Sequence, residues 1–559
     1  MDRRAEPSHR ARPPAPLLAP ADLDRLRTAL AGYTVETVPE LLGPIGRGAH
    51  SRGDLAGVAR AVTAVAADEP RLATLVRLFL LGLPVPSAQA RAALAPLPVE
   101  LAEVAGLVTT SGGETRALLD VRPYAESEGG GAAWWVVSDL GSDVRPGPLP
   151  GDHVLGVGNA AVTLAQATPR APVGTALDIG TGCGVQALHL GRHAGTVTAT
   201  DISARALRFA ATTAALSGQR WRLEQGSLLE PVAGARYDLV VANPPFVVSP
   251  GATEHEYRDS GLAGDAVCRT LVRGIPAVLA PAGTAQLLAN WIVPRDGSWQ
   301  DRLAGWFDGT GCDAWVWRRE TADPGEYVAL WLRDAGHRPG APEWAARYDA
   351  WLDWFAAHDV AAVGMGLVTM RARAADQRSD ATDVVIEDVP QAVDQPVAAE
   401  IEAWFARRRV LADCPDADLL ARQWRAAPDL VRTRDDLLAP DGGWATRRAV
   451  LRQPTGMRWE VEVDDAVARI VAACDAGATP AVALDLLAAG TAGTAGPADD
   501  PAAWAAAFAP VLRDLVTRGF LLPTTPAEPP RTRPAPRAAV PPRPAPPVGP
   551  PPTDGDDPA

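Results

Sequence analysis

Apolar runs and helix-forming stretches alternate through the middle of the chain. The pattern predicts strands and helices, in order, at 175–179, 184–193, 196–201, 203–217, 221–225, 237–242, 264–280, 284–293 and 298–308. This alternation is typical of a parallel sheet with helices packed on it. Two more strands are predicted at 312–320 and 360–374, with helices near 324–334 and 343–358 between them. The central region is therefore predicted to be an α/β domain.

Tryptophan is abundant, with 17 in the chain. Four of them fall in the helices predicted between the last two strands: Trp331, Trp344, Trp351 and Trp354. Residues at helical spacing pack in a core more often than they form a stacking platform. We expect these four to be core residues.

Helical patterning dominates both flanks of the α/β domain. The N-terminal flank ends in two short predicted strands joined by the turn at 112–113. This flank is predicted to be either a winged-helix domain or a plain helical cap over the α/β domain. The C-terminal flank begins with a strand at 383–389, and its helices again resemble a winged-helix module. The predicted organisation is a disordered arm at 1–19, an N-terminal domain at 20–128, the α/β domain at 129–375, a C-terminal domain at 376–522 and a Pro-rich disordered tail at 523–559.

Length, charge and cysteine usage limit the number of domains, the kinds of partner and the kinds of site that the chain can have. A chain of 559 residues is long enough for about three domains. The net charge of −14 gives no global basic field for nucleic acid, so RNA contact would need a local arginine patch. Residues 407–409 with Arg447 and Arg448 form such a group, although a solvated helix face is the simpler interpretation. The five cysteines are scattered, so neither a metal site nor a disulfide framework is predicted.

Targeting signals are not apparent. The first 20 residues lack the apolar run of a signal peptide, and no stretch reaches the roughly 18 apolar residues that span a membrane. We expect a cytoplasmic protein with no membrane partner. Its oligomeric state does not follow from the sequence.

The first chemical motif follows the first predicted strand of the α/β domain. That strand ends at Asp178, and Gly180, Gly182 and Gly184 then precede a helix. Glycines at alternate positions let the backbone approach a ligand, and the N–H groups at the helix start are expected to face it. The next strand delivers Asp201, where a nucleoside-binding unit places a carboxylate for the ribose hydroxyls. The pattern favours a nucleoside-containing cofactor.

The second motif, DLVVANPPF at 238–246, is a strand that ends in Asn243, two prolines and an aromatic ring. Ligands of open α/β sheets bind outside the carboxyl ends of the strands. Both motifs therefore present their side chains at the same edge. An ordinary strand-end turn is the alternative, and the combination of the two motifs argues against it.

Together the motifs resemble class I S-adenosylmethionine-dependent methyltransferases that act on planar amide or amine nitrogens. The resemblance covers about residues 150–375 and implies a Rossmann-like sheet, mostly parallel with an antiparallel last strand. It also implies that a segment at 152–170 closes over the methionine end of S-adenosylmethionine. The implied cofactor-binding residues are Asp178, Gly180, Thr181, Gly182, Gly184, Asp201, Ile202, Ser227, Leu228 and Asn243. Ser227 stands where many family members carry an acid near the adenine.

The Asn-Pro-Pro-Phe turn suits transfer to a planar nitrogen, whose lone pair is delocalised. The side-chain oxygen of Asn243 and the carbonyl of Pro244 can accept both N–H hydrogens and aim the lone pair at the methyl group. Phe246 would stack on the planar group, and Pro244 and Pro245 stiffen the turn. The resemblance thus implies that residues 243–246 are catalytic.

The acceptor is left open between two families. The string NPPFVVSPG resembles release-factor glutamine methyltransferases, with Phe246 in place of their tyrosine, and also ribosomal-RNA guanine-N2 methyltransferases. The same string fits adenine-N6 methylases. The expected partners are a translation factor, a ribosomal protein or ribosomal RNA. Substrate contacts are expected along Glu254, His255, Glu256, Tyr257, Arg258 and Asp259, with His255 a surface residue rather than a base.

Two other functions compete with catalysis of methyl transfer. One is a catalytically silent scaffold that binds S-adenosylmethionine, or a nucleic-acid-binding module, which Ser227 and the large flanking domains favour. The other is a nicotinamide oxidoreductase, which leaves the NPPF motif unexplained. An N-methyltransferase accounts for both motifs.

Overall fold

The computed structural model describes residues 14–126, 133–145, 147–251, 261–373, 382–438, 440, 442–491 and 501–524. It divides the chain into two compact units. The first is Met1–Ala403 with Thr455–Arg458, and the second is Trp404–Pro454 with Trp459–Ala559.

The first unit begins with helices and two small antiparallel sheets. Its helices are α1 Pro20–Leu30, α2 Thr37–Ser51, α3 Leu55–Val65, α4 Pro70–Leu75 with a π-helical turn at Val76–Leu80, α5 Ser87–Leu94 and α6 Val99–Val104. Its strands are β1 Val85–Pro86, β2 Val108–Ser111, β3 Glu114–Ala117, β4 Leu119–Ala125 and β5 Ala133–Asp139. The predicted strand pair is β2 and β3, and both glycines of their turn have left-handed φ, +61° at Gly112 and +84° at Gly113.

An eight-stranded sheet follows in the same unit. Its strands are β6 Val173–Ile179, β7 Ala194–Asp201, β8 Arg222–Gln225, β9 Tyr237–Ala242, β10 Leu279–Pro294, β11 Cys312–Ala322, β12 Val360–Ala372 and β13 Val384–Asp388. Their order is β13-β11-β12-β10-β9-β6-β7-β8. Strand β12 is antiparallel to both neighbours, and the other pairs are parallel. This confirms the mostly parallel sheet in which β12, the last strand predicted for the domain, runs antiparallel.

One strand lies elsewhere than the pattern suggested. The strand at 384–388 was grouped with the C-terminal flank because it follows the last strand expected of the fold. In the structure β13 pairs with β11 in parallel, from Ala314 opposite Val384 to Arg318 opposite Asp388. The side chain of Arg318 also forms an ion pair with Asp388. The sheet thus continues one strand beyond the expected fold.

Helices pack on both faces of this sheet. They are α7 Asn159–Ala167, α8 Val185–Leu190, α9 Ala204–Leu216, α10 Ala266–Gly274, α11 Trp299–Ala304, α12 Pro324–Asp334 and α13 Pro342–Ala357, with 3-10 turns at Glu230–Val232 and Ile275–Ala277. On one face, buried residues of α8 and α9 share a hydrophobic core with the N-terminal helices. On the other, α10 and α11 cover β9 and β10.

Helices α12 and α13 lie between β11 and β12, and we call them the helical insertion. Their core also contains residues of the chain that follows β9. Of the four tryptophans predicted to be core residues, Trp351 is buried, whereas Trp331, Trp344 and Trp354 are half-buried. The core prediction is therefore right for Trp351 and only partly right for the other three, because α12 and α13 cover one another incompletely.

The second unit is smaller and begins within α14. Its elements are α14 Ala398–Ala412, α15 Asp416–Ala421, β14 Trp424–Ala426, β15 Val431–Leu438, β16 Trp444–Arg452, β17 Glu460–Glu462, α16 Asp465–Asp475, α17 Pro480–Thr491, α18 Pro501–Thr517 and β18 Leu521–Pro523. Two of the five arginines considered for phosphate binding, Arg407 and Arg448, make contacts within the unit. The Arg407 Nε donates to the carbonyl oxygen of Thr517 (3.0 Å), and Arg448 pairs with Glu462 (3.1 Å). These contacts agree with the simpler interpretation of those side chains.

Candidate active site

A cavity of about 720 Å³ opens at the carboxyl ends of β6, β7, β8 and β9. The loops that follow these four strands supply most of the residues predicted for the site. Those on its lining are Gly180, Thr181, Gly182, Asp201, Ile202, Ser227, Leu228, Asn243, Pro244 and Pro245. Asp178, Gly184 and Phe246 are absent from the lining and lie behind or beside it. The fold therefore brings both sequence motifs to one cavity.

The glycines of the loop after β6 adopt the left-handed backbone that the motif requires. The φ angles are +69° at Gly180, +54° at Gly182 and +91° at Gly184. A Cβ at Gly184 would lie only 2.6 Å from the Trp221 ring, whereas nothing lies within 4 Å of one at Gly182. Gly180 and Gly182 therefore shape the loop at the cavity, and Gly184 lets the loop pack against an indole behind it.

The amides of this loop are used inside the protein. The N–H groups of Gly180 and Thr181 both donate to the carbonyl oxygen of Thr200 (2.9 Å each), and that of Gly182 donates to Asp201 Oδ2 (2.9 Å). These three residues precede α8, so the expectation that the N–H groups at the helix start face the ligand does not concern them. A turn this tight needs partners for its own amides, and the end of β7 supplies them.

Asp178 lies beneath the loop and is fully buried. Its Oδ2 accepts hydrogen bonds from Thr181 Oγ1 (2.6 Å) and the Ala187 amide (3.1 Å), so it joins the loop to α8. Its Oδ1 is buried with no hydrogen-bond partner among the described residues. Burial raises the pKa of Asp178 to about 7, although these two hydrogen bonds act in the opposite direction. Asp178 therefore orients the loop without reaching the cavity.

Asp201 and the residues near it line the other side of the cavity. Asp201 Oδ1 accepts from the Ser203 amide (2.9 Å), and Oδ2 is the acceptor for Gly182. A carboxylate oxygen has more than one lone pair, so both oxygens can still accept from a ligand hydroxyl. Ile202 is 60% exposed at the cavity, and Leu228 adopts a φ of +47° that is uncommon for a branched side chain. These two apolar side chains are available to cover a flat ring.

The turn after β9 contributes Asn243, Pro244 and Pro245 to the lining of the cavity. Asn243 Oδ1 is buried and has no hydrogen-bond partner among the described residues. The Asn243 carbonyl oxygen lies 3.8 Å from the position of a Cβ on Gly180, so the turn and the glycine loop are adjacent. Phe246, which is expected to stack on the acceptor, is not among the lining residues of the cavity. Its ring meets that of Trp331 edge-on at 6.0 Å, because the helical insertion occupies that side of the turn.

Comparison with protein families agrees with this arrangement. Residues 156–294 match the family model described as a methyltransferase small domain. The central region is thus similar to methyltransferase small domains, and its sheet has the mostly parallel order with an antiparallel strand that the sequence predicts. The flanks match two other models, each described as a domain of unknown function: DUF7059 at 30–118 and DUF7782 at 402–523.

Individual relatives match the same region. A release factor glutamine methyltransferase of Geobacter sulfurreducens is 34% identical over 171 residues, 28% of this chain and 57% of that protein. A ribosomal RNA small subunit methyltransferase C of Alcanivorax borkumensis is 34% identical over 121 residues, 22% of this chain and 34% of that protein. A ribosomal protein uL3 glutamine methyltransferase of Bradyrhizobium diazoefficiens is 35% identical over 150 residues, 24% of this chain and 46% of that protein. The chain thus spans between 34% and 57% of the length of these three relatives.

The segment before β6 forms a further side of the cavity of the methyltransferase domain. The predicted closing segment at 152–170 supplies residues 153–156, Gly158, Ala160 and Ala161 to the lining. Asp139, at the end of β5, holds this segment by accepting from the Val154 amide (2.8 Å) and pairing with Arg205 on α9 (2.6 Å). Asp139 is buried, so this pair fixes the segment firmly. Nothing in the local sequence pattern connects Asp139 with Arg205.

One set of predicted residues lies outside the described part of the chain, and two other predictions concern metal sites and membrane-spanning segments. The six substrate-contact candidates, Glu254, His255, Glu256, Tyr257, Arg258 and Asp259, are outside the described part of the chain. Within residues that the structure describes, no group of three or more His, Cys, Asp or Glu side chains is placed to hold a metal ion. No helix among them has the length and apolar character needed to cross a membrane.

Proposed function

We propose that this chain is an N-methyltransferase that transfers the methyl group of S-adenosylmethionine to a planar amide or amine nitrogen of a macromolecule. The observation that carries the proposal is the Asn243 side chain. A buried amide oxygen without a partner costs free energy unless a ligand satisfies it. At the edge of a cavity that also holds the glycine loop, that ligand is an N–H group of the acceptor.

The residues of the cavity fit S-adenosylmethionine. The volume of about 720 Å³ is within the range of small-molecule sites. Ile202 and Leu228 offer apolar surface to the adenine, with Ser227 beside its amino group, and Asp201 offers acceptors to the ribose hydroxyls. The glycine loop leaves room for the methionine portion. When bound, the cofactor supplies a sulfonium methyl group that a nitrogen nucleophile can displace.

The chain's own residues then prepare the acceptor nitrogen. Asn243 Oδ1 and the carbonyl oxygen of Pro244 each accept one N–H hydrogen, which holds the nitrogen with its lone pair toward the methyl group. The nitrogen–carbon bond forms as the sulfur–carbon bond breaks, and the extra proton on nitrogen passes to water afterwards. No strong base is needed. The buried Asp178, outside the cavity lining, is not one. Positioning of the nitrogen is the main contribution.

Two acceptors fit this geometry, a glutamine side chain of a protein and an amino group of an RNA base. The names of the relatives refer to a release factor, the ribosomal protein uL3 and ribosomal RNA. We propose that the acceptor is a component of translation, met in the cytoplasm. The net charge of −14 favours a protein or a ribosomal particle over naked nucleic acid. We propose that the regions flanking the central sheet, 20–128 and the chain after β13 to residue 522, select it, because they lie outside the matched region.

Label transfer tests the proposal. The purified chain is incubated with tritium-methyl S-adenosylmethionine and a lysate of the host lacking the gene, in which the acceptor sites are unmethylated. We expect labelled macromolecule, released by protease if the acceptor is a glutamine and by ribonuclease if it is a base. Asn243→Ala should bind the cofactor and transfer no label. Cofactor binding without any transfer by the unaltered chain would favour the silent scaffold instead.

A further inference from the structure

The helical insertion is packed against the chain that leaves the catalytic turn. Val247 and Val248, which follow the turn directly, are buried in the same core as α12 and α13. No residue of the insertion lines the cavity. The contacts with the chain after the turn therefore give the insertion an indirect route to the cavity.

Two buried side chains of the insertion hold the backbone of Val248 from both sides. The Tyr327 hydroxyl of α12 accepts from the Val248 amide (2.9 Å), and the Trp351 Nε1–H of α13 donates to the Val248 carbonyl oxygen (3.1 Å). The same hydroxyl accepts from Asn290 Nδ2 on β10 (2.9 Å). Tyr327 is 0% exposed. The residue two positions after Phe246 is thus tied to the insertion and, through Tyr327, to the central sheet.

Other contacts extend this support to the residues on either side. Phe246 meets Trp331 edge-on, as described above. The Gly264 amide donates to the Ser249 carbonyl oxygen (2.8 Å), and a Cβ at Gly264 would lie 3.4 Å from the Trp354 ring. The insertion therefore contacts the chain at 246, 248 and 264 together, and the turn is left with little freedom to move.

We infer that Tyr327 and Trp351 are positioning residues, which fix how far Asn243 Oδ1 and the Pro244 carbonyl oxygen reach toward the reacting nitrogen. The inference rests on the proposed function. The two prolines help to transmit the constraint, because their fixed φ leaves residues 244 and 245 fewer dihedral angles with which to absorb a shift of the chain at 248. A displacement of about 1 Å at a reacting group can cost about 100-fold in rate. The cofactor side of the cavity, built on β6 and β7, does not depend on these contacts.

The test replaces Tyr327 with phenylalanine and measures three quantities. In Tyr327→Phe, the Val248 amide loses its acceptor, so hydrogen exchange of a peptide covering 246–251 should quicken about tenfold or more. Exchange at 176–187 should not change, and the dissociation constant for S-adenosylhomocysteine should stay within about twofold. Label transfer to the acceptor should fall about tenfold or more. Trp351→Phe should act in the same direction.

Tyr348→Phe is the matched control, since it makes the same chemical change in the same insertion and Tyr348 has no hydrogen bond to Val248. It should leave all three quantities unchanged. Unaltered exchange and transfer in Tyr327→Phe would overturn the inference, as would an equal loss of cofactor binding and transfer, which indicates general disruption. If Tyr327→Phe does not fold, the same three measurements on Trp351→Phe test the inference. A wild-type chain without transfer would overturn the proposed function, while the exchange measurements would still decide the positioning.

Discussion

The buried carboxyl of Asp178 makes the stability of the glycine loop depend on pH. Burial raises its pKa from the ordinary value of 3.8 to about 7. As pH rises between these values, the unfolded chain has already released the proton that the folded chain retains. Stability therefore falls with rising pH in this window and is level above about pH 7. The slope is about 1.4 kcal/mol per pH unit within this window and flattens near pH 7, so the change from pH 5 to pH 8 amounts to about 2.5 kcal/mol.

Asp178→Asn removes this dependence. An asparagine stays neutral, and its amide oxygen can still accept from Thr181 and the Ala187 amide. Hydrogen exchange of peptides covering 179–187, corrected for intrinsic rates, reports the opening of this region. From pH 5 to pH 8 the wild-type protein should lose about 100-fold more protection here than the variant, while the α10 peptides should agree in both. Parallel pH profiles at 179–187 would refute the assignment of a raised pKa to this buried carboxyl.

Three further changes test the site. Gly184→Ala should destabilise the first unit by about 2 kcal/mol or more in thermal melts, because a Cβ would lie 2.6 Å from an indole ring. Gly218→Ala is the control: its φ is +68° and nothing lies within 4 Å of a Cβ, so it should show only the smaller cost of the backbone conformation. Asn243→Ala should lower label transfer at least about 100-fold, a far larger factor than any loss of cofactor affinity measured by equilibrium dialysis. Retained transfer would contradict its role. Arg205→Leu leaves the buried Asp139 without its cation, so the free energy of unfolding should fall by about 2 kcal/mol and cofactor binding should weaken. Unchanged cofactor affinity would mean that the closing segment is not needed for binding.

The sequence was sufficient for the cofactor side of the site because that side is built from local signals. Each glycine of the loop follows from a backbone conformation that other residues adopt with strain, and Gly180 and Gly182 do adopt it. Asp201 ends the next strand and meets the loop, as the βαβ pattern requires. The hydrogen bonds inside the loop were not predicted, because the motif does not indicate whether its amides face a ligand or the protein.

Contacts between residues far apart in the chain could not be predicted from the hydrophobic and polar pattern of the sequence. Asp139 and Arg205 are separated by 66 positions, and no periodicity relates them. The strand at 384–388 has the same alternation whether it adds to the central sheet or starts another domain, so its pairing with β11 could not be chosen from residues alone. The position of Phe246 depends on Trp331, a residue that was assigned to a generic core.

The contrast between the two sides of the cavity has a consequence for specificity. The glycine loop and Asp201 come from consecutive strands and helices within the matched region 156–294, so we expect this side to determine the cofactor. The acceptor turn is held by Tyr327 and Trp351, which are 79 and 103 positions from Val248 and belong to an insertion outside the matched region 156–294. A change of acceptor can therefore be accommodated by changing the insertion and the flanking domains while the cofactor side stays the same. If so, variants of the insertion should change which acceptor is methylated, or the rate of its methylation, while cofactor binding stays the same. Equal losses of methyl transfer and of cofactor binding would show that the two sides of the cavity are a single cooperative structure.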